Sequence, residues 1–273
     1  MRIDAHMHMW NRLMLPDEAI RSYMEPVRKF KEMYGNLFDF GLDDEVPYKD
    51  YDVPVDMPLD SLNYNDMDYG VVLITDFGLV GGDRMSLDEY TQWIYDRCQV
   101  SDKFLPFIGV DPNRRDACEI IERYVKKYNP LGIKMYPATG FYPDDPKYDE
   151  YWRTVEDFGL VVTTHTGMAL APLDEKYCHP EQMRRVAEMH PDTKFIIAHL
   201  GGKFHDELLP LMRDCDNVYA DCSALQGWCP DEEYMVNDRL SRVMGEFPDR
   251  IVFGTDYPQY DERYSAHRFI ELI

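Results

Sequence analysis

Eight short apolar, β-rich runs recur along this 273-residue chain, separated by stretches with helical spacing. The runs are residues 1–5, 70–75, 104–110, 131–136, 160–165, 194–199, 217–222 and 251–255. Most are continuously apolar rather than alternating. That is the pattern of strands buried on both faces, and strands so buried belong to parallel sheets covered by helices. Between the runs, Ser86 with Glu89 three residues on is a capping-box start for a helix over 86–99. Ile120, Ile121, Tyr124, Val125 and Tyr128 form the apolar stripe of a helix over 113–128, and residues 179–190 and 231–247 show similar spacing. Eight strand–helix repeats joined by right-handed crossovers predict an α/β fold: a closed (β/α)₈ TIM barrel filling 1–273 as one domain. An open doubly wound sheet is the rival topology, but no Gly-x-Gly-x-x-Gly follows the first run.

Two departures from regularity carry expectations of their own. A long insertion, 10–56, rich in Tyr, Pro and acidic residues, interrupts the pattern after the first strand, with a short helix near 17–34. An insertion placed there sits at the mouth of a barrel, so it is a lid candidate and equally a structural flap or oligomer contact. At the other end, residues 262–273 offer only a short eighth helix. An apolar patch left near the first and last strands would then need either the 10–56 insertion or a partner subunit, as in a homo-oligomer, to cover it.

Lys and Arg number 29 against 51 Asp and Glu, a net charge of −22. Such a surface repels phosphate backbones and anionic lipid, which argues against nucleic acid and membrane partners and leaves a small molecule. The six cysteines are scattered without a C-x-x-C pair, the pattern of free thiols in a reducing compartment. The N-terminal residues lack the charged and apolar regions of a signal peptide, and no apolar run reaches the ~18 residues of a membrane span. The expected location is cytoplasmic.

The chemistry-bearing residues fall at the carboxyl ends of the strands, where barrel enzymes keep their active sites. The first strand ends in His6-Met7-His8, and residues two apart on a strand face the same way, so both imidazoles can reach one ion. His165 and His199 end the fifth and sixth runs, and Asp256 follows the eighth. Buried polar side chains need partners or a ligand, and this combination is the inventory of a metal site.

With DAHMHMW (4–10), LGIKMYPATGFYPDDP (131–146), LVVTTHTG (160–167), FIIAHLGG (195–202), NVYADCSA (217–224) and IVFGTDYP (251–258), the chain resembles the amidohydrolase superfamily. The resemblance is to the amidohydrolase-related branch that includes aminocarboxymuconate-semialdehyde decarboxylase-like enzymes. It implies one divalent ion, zinc first and manganese or iron as alternatives, held by His6, His8, His165 and Asp256. It implies Asp256 and His199 as catalytic acid–base groups. The activity implied is hydrolysis of an amide, lactone or related C–N or C–O bond by metal-activated water; the rival is non-oxidative decarboxylation of an aromatic or unsaturated acid. Lys134 is the electrostatic group for an anionic substrate, or a lysine open to carboxylation. Arg12 and Arg84 are candidate carboxylate clamps, and Tyr136 and Trp228 candidate walls for a flat substrate.

Overall fold

The computed structural model describes residues 1–22, 52, 54–81, 84–169, 171–225 and 233–258. Eight parallel strands lie in sequence order: β1 (Ile3–Met7), β2 (Tyr69–Leu73), β3 (Phe104–Gly109), β4 (Gly132–Met135), β5 (Val161–Thr164), β6 (Phe195–Ile197), β7 (Val218–Asp221) and β8 (Ile251–Val252). One helix follows each of the first seven: α1 (Asp56–Tyr64), α2 (Leu87–Cys98), α3 (Ala117–Tyr128), α4 (Asp149–Asp157), α5 (Arg184–Met189), α6 (His205–Asp214) and α7 (Glu233–Glu246). The chain is a (β/α)₈ barrel.

The ends of the sheet meet through backbone bonds. Ala5 N–H donates to the Phe253 carbonyl at 2.9 Å, Asp256 N–H to His6 at 2.8 Å, and His8 N–H to Tyr257 at 2.7 Å. Two of these three closing bonds involve His6, His8 and Asp256, whose relative positions are thereby fixed by the barrel itself. Strand β1 continues to Met7, so His6 lies within the strand and His8 just past its end, and Asp4 and His6 are both buried. The core is built as the apolar runs require: Val72, Ile108, Ile133, Val162, Phe195, Ile197, Val218 and Ala220 are all fully buried.

Helix α2 begins with the capping box read from the sequence: Ser86 Oγ accepts from Glu89 N–H while the Glu89 carboxylate accepts from Ser86 N–H. Helix α3 starts at Ala117, four residues later than the apolar stripe suggests, and ends with Asn129 in the left-handed region (φ 50°). The stretch 179–190 divides into a 3₁₀ turn (Pro180–Met183) and α5. Of the insertion, residues 17–22 are helical; 23–51 and 53 lie outside the described residues, as does the short helix expected over 262–273. Among the described residues no helix is long and apolar enough to cross a membrane.

Candidate metal centre

His6, His8, Lys134, Tyr136, His165, His199 and Asp256 all line one pocket of about 160 Å³ at the carboxyl ends of the strands. Its outer walls are Trp10, Leu15 and Ile20 from the described part of the insertion, with Phe77, Met168 and Leu173 from later loops. Trp10 stacks on His8 (centroids 5.1 Å apart) and Tyr136 on His165 (4.4 Å), so aromatic faces hold two of the imidazoles in place.

His6, His8 and Asp256 form one group able to hold an ion. Asp256 Oδ1 lies 3.4 Å from His6 Nε2 and 3.2 Å from His8 Nε2. Ligands at zinc distances of about 2.0–2.2 Å in a tetrahedron stand about 3.3–3.6 Å apart, so these separations suit one ion. His165 is not in that group. Its Nδ1 faces His199 Nε2 at 3.1 Å, and His199 in turn lies beside His6 with ring centroids 5.0 Å apart.

The hydrogens can be placed from partners that only accept. His6 Nδ1 lies 2.8 Å from Asp221 Oδ2, His8 Nδ1 2.9 Å from the Leu73 carbonyl, and His165 Nε2 3.0 Å from the Met168 carbonyl. His199 Nδ1 lies 3.2 Å from the Ser223 carbonyl. Carbonyl and ionised carboxylate oxygens cannot donate, so each of these nitrogens does, and the opposite nitrogen of each neutral ring is left with a lone pair. Those lone pairs converge: His165 on His199, and His8 on a carboxylate oxygen. Such an arrangement repels unless a cation or proton sits within it, and the donor set of neutral imidazoles and a carboxylate fits a divalent ion. His6, His199 and Asp221 also lie within ligand distance of one another. Asp221, however, already accepts from His6, from Ser223 and from the His199 backbone, which marks it as a hydrogen-bonding hub.

Burial, then the nearby Lys134 charge, lowers His6 to about 3; burial, then His199 and Lys134, holds His165 well below the usual imidazole range. The Asp256 carboxyl lies below the usual carboxylate range despite its burial, with the His8 and His6 rings beside it, and it stays ionised. Burial brings Lys134 down to about 8, partly offset by Asp221 and Asp256, and its Nζ lies 3.2 Å from His6 Nε2.

These shifts set the acid stability of the metal-free protein. Below pH of about 6.5 the unfolded chain protonates two imidazoles that the folded state keeps neutral, so folding loses stability as pH falls. Asp4, raised to about 7 by burial, works the other way, because the folded state holds its proton as pH rises to that value. His205, lowered by burial, adds to the loss and Asp111, raised by burial, opposes it, so three imidazoles against two carboxyls leave a net loss. With chelator present, Tm is expected to fall between pH 7.5 and 5; a flat or rising Tm would contradict the neutral assignment.

Backbone strain delivers two of the side chains. His199 (φ 58°), Leu200 (φ 47°) and Asp256 (φ 58°) occupy the left-handed region, uncommon for residues other than glycine. The loops carrying His165 and His199 touch at Gly167 and Gly202, where a Cβ on Gly202 would lie 2.7 Å from Gly167 Cα. Only glycine at this crossing lets the two imidazoles approach.

Arg84 donates to Asp17 Oδ1 at 2.8 Å and to the Arg12 carbonyl at 3.0 Å, and neither arginine lines the pocket. Among the described residues Lys134 is the one lysine or arginine that does. Trp228 lies outside the described residues. Asp221 and Ser223 carry no role in the sequence reading, although NVYADCSA contains both; an aspartate closing a buried strand was the available signal.

The amidohydrolase family model matches residues 3–272. An amidohydrolase from Burkholderia multivorans with bound zinc superposes with a TM-score of 0.70 at 12% identity, covering 100% of this chain and 91% of its own. An uncharacterised TIM-barrel protein from Bordetella bronchiseptica gives 0.70 at 18%, covering 99% and 90%. The 5-carboxyvanillate decarboxylase of Sphingomonas paucimobilis gives 0.62 at 15%, covering 99% and 92%. At these identities the similarity is one of fold. The comparison with curated proteins returns no match.

Proposed function

The chain belongs to the amidohydrolase family, and from that premise we propose that it is a metal-dependent hydrolase of an amide, lactone or related C–N or C–O bond. The observation that carries this reading is the convergence of inward lone pairs from His6, His8, His165 and His199 beside the ionised Asp256, at the floor of an apolar-walled pocket. His6, His8, His165 and Asp256 would hold one divalent ion, zinc by preference for imidazole and carboxylate donors. Bound there, the ion supplies Lewis acidity, lowering the pKa of water and polarising a substrate oxygen.

The chain's own residues complete the reaction. Asp256 takes the proton of the attacking water, whose oxygen bonds to the acyl carbon. His199 takes up that proton from Asp256 at its bare Nε2 and passes it to the departing nitrogen or oxygen as the C–N or C–O bond breaks, so both groups end as they began. Lys134 orients an anionic group of the substrate, and Trp10, Phe77 and Tyr136 offer walls to a flat body.

A decarboxylase of an aromatic or unsaturated acid would want cationic grips beside the metal. Arg84 spends its guanidinium on Asp17 and Arg12 stays off the pocket lining, which leaves Lys134 as the one cationic grip among the described residues that line the pocket. The deciding measurement is a product assay on lactones, amides and aromatic carboxylic acids, following acid release and CO₂ together. Acid release without CO₂ is expected; CO₂ from the aromatic acids, with the lactones and amides untouched, would overturn the proposal.

A further inference from the structure

Strand β7 ends on a carboxylate that the reaction above does not use. Asp221 is fully buried, and its two oxygens serve different parts of the site. Oδ2 accepts from His6 Nδ1 at 2.8 Å. Oδ1 accepts from the His199 backbone N–H at 2.9 Å, from Ser223 N–H at 3.0 Å and from the Ser223 hydroxyl. An ionised carboxylate has no proton to give, so the Ser223 hydroxyl must spend its own hydrogen on Asp221. What remains on Ser223 Oγ is acceptor capacity, with His199 Nδ1 2.8 Å and His6 Nδ1 3.1 Å from it, and the Ser223 carbonyl lies 3.2 Å from the same His199 nitrogen.

We propose that Asp221 is a positioning residue that fixes the tautomer of two imidazoles at once, His6 directly and His199 through Ser223, so that both present a bare Nε2 to the reaction centre. The bond from Asp221 to the His199 backbone belongs to the same device. It holds the N–H of a residue at φ 58°, a conformation that needs such an anchor, and the His199 side chain enters the site from that turn. One carboxylate thus sets a ring in the proposed ligand group and the proposed proton carrier. The effect on turnover rests on the hydrolase reading above; the tautomers do not.

Asn at this position keeps the shape but puts an NH₂ where one oxygen was. Turned toward His6, it donates to Nδ1 and drives the proton to Nε2. The opposite orientation would set the NH₂ against the backbone N–H groups of His199 and Ser223, so the amide is expected to turn its NH₂ to His6. Where a carboxylate fixes a catalytic imidazole, such a change can cost up to about 10⁴-fold in kcat.

The test is nitrogen NMR of metal-stripped protein labelled with ¹⁵N-histidine, read at neutral pH, with zinc affinity measured in parallel. In the unsubstituted protein both His6 and His199 are expected to carry their proton on Nδ1. Asp221→Asn is expected to move at least one of them to Nε2 and weaken zinc about 10–100-fold, the usual scale for losing a partner behind a ligand. Ser223→Ala is expected to shift the His199 signals more than those of His6, whose Nδ1 lies farther from the hydroxyl at 3.1 Å and keeps its bond to Asp221, and to leave zinc affinity in place. A folded Asp221→Asn protein with both protons still on Nδ1 and unchanged zinc affinity would overturn the proposal. So would a bare Nδ1 on either ring of the unsubstituted protein, a reading that holds even if the variant does not fold. Neither measurement uses turnover, so failure of the hydrolase reading would show separately, in the product assay.

Discussion

Replacing His6 and His8 together by alanine is expected to strip the protein of its divalent ion, from about one equivalent per chain to less than about a tenth. The expectation follows from closure of the barrel. His6 and His8 come from β1 and the turn after it, and Asp256 is tied to β1 by its N–H bond to the His6 carbonyl. Removing both rings leaves Asp256 Oδ1 facing neither Nε2, and a single carboxylate among more distant histidines cannot hold zinc against water. The backbone bonds that close the barrel are untouched, so the variant is expected to fold, with turnover lost along with the metal. Metal analysis of the purified variant beside the parent protein is the check. Full retention of the ion would reject this assignment of ligands.

His199→Asn separates the proton carrier from the ligands. His199 is absent from the His6, His8 and Asp256 group, and its Nε2 faces His165 Nδ1 at 3.1 Å. An asparagine at 199 keeps a polar side chain of smaller reach but cannot take up and release a proton near neutral pH. The expected result is retained metal, little change in KM, and a loss of kcat of about 10²–10⁴-fold, the range of general acid–base catalysis. Loss of the metal on this substitution would place His199 in the coordination shell and argue for a second ion between it and His165. Metal content and steady-state kinetics on the same preparation distinguish the two outcomes.

Much of the architecture is legible in the residues because burial on both faces leaves a strand little compositional freedom. Each apolar run overlaps a strand, and the Ser86–Glu89 capping box lies where its spacing placed it. Helices α1, α4 and α6 were not delimited beforehand. Helix α1 has Pro58 in its first turn, α4 has nine residues, and α6 carries Pro210 inside it, and each weakens the local signal that tertiary packing overrides. The split of 179–190 has the same origin: Pro180 starts a 3₁₀ turn, and α5 is only six residues long.

The candidate ligands were visible because polar side chains at the ends of buried strands stand out against their surroundings. Their mutual arrangement was not. That His165 stands against His199, that Lys134 reaches His6, and that Arg84 turns to Asp17 depend on side-chain direction across strands distant in sequence. The sequence by itself determined eight buried parallel strands and the kinds of atoms gathered at their ends, because hydrophobic periodicity and donor chemistry are local properties. Only the tertiary structure decided which nitrogen of each imidazole faces inward and that Asp221 stands behind two of them. Tautomers are set by hydrogen-bond partners brought from elsewhere in the chain, and no local pattern records those partners.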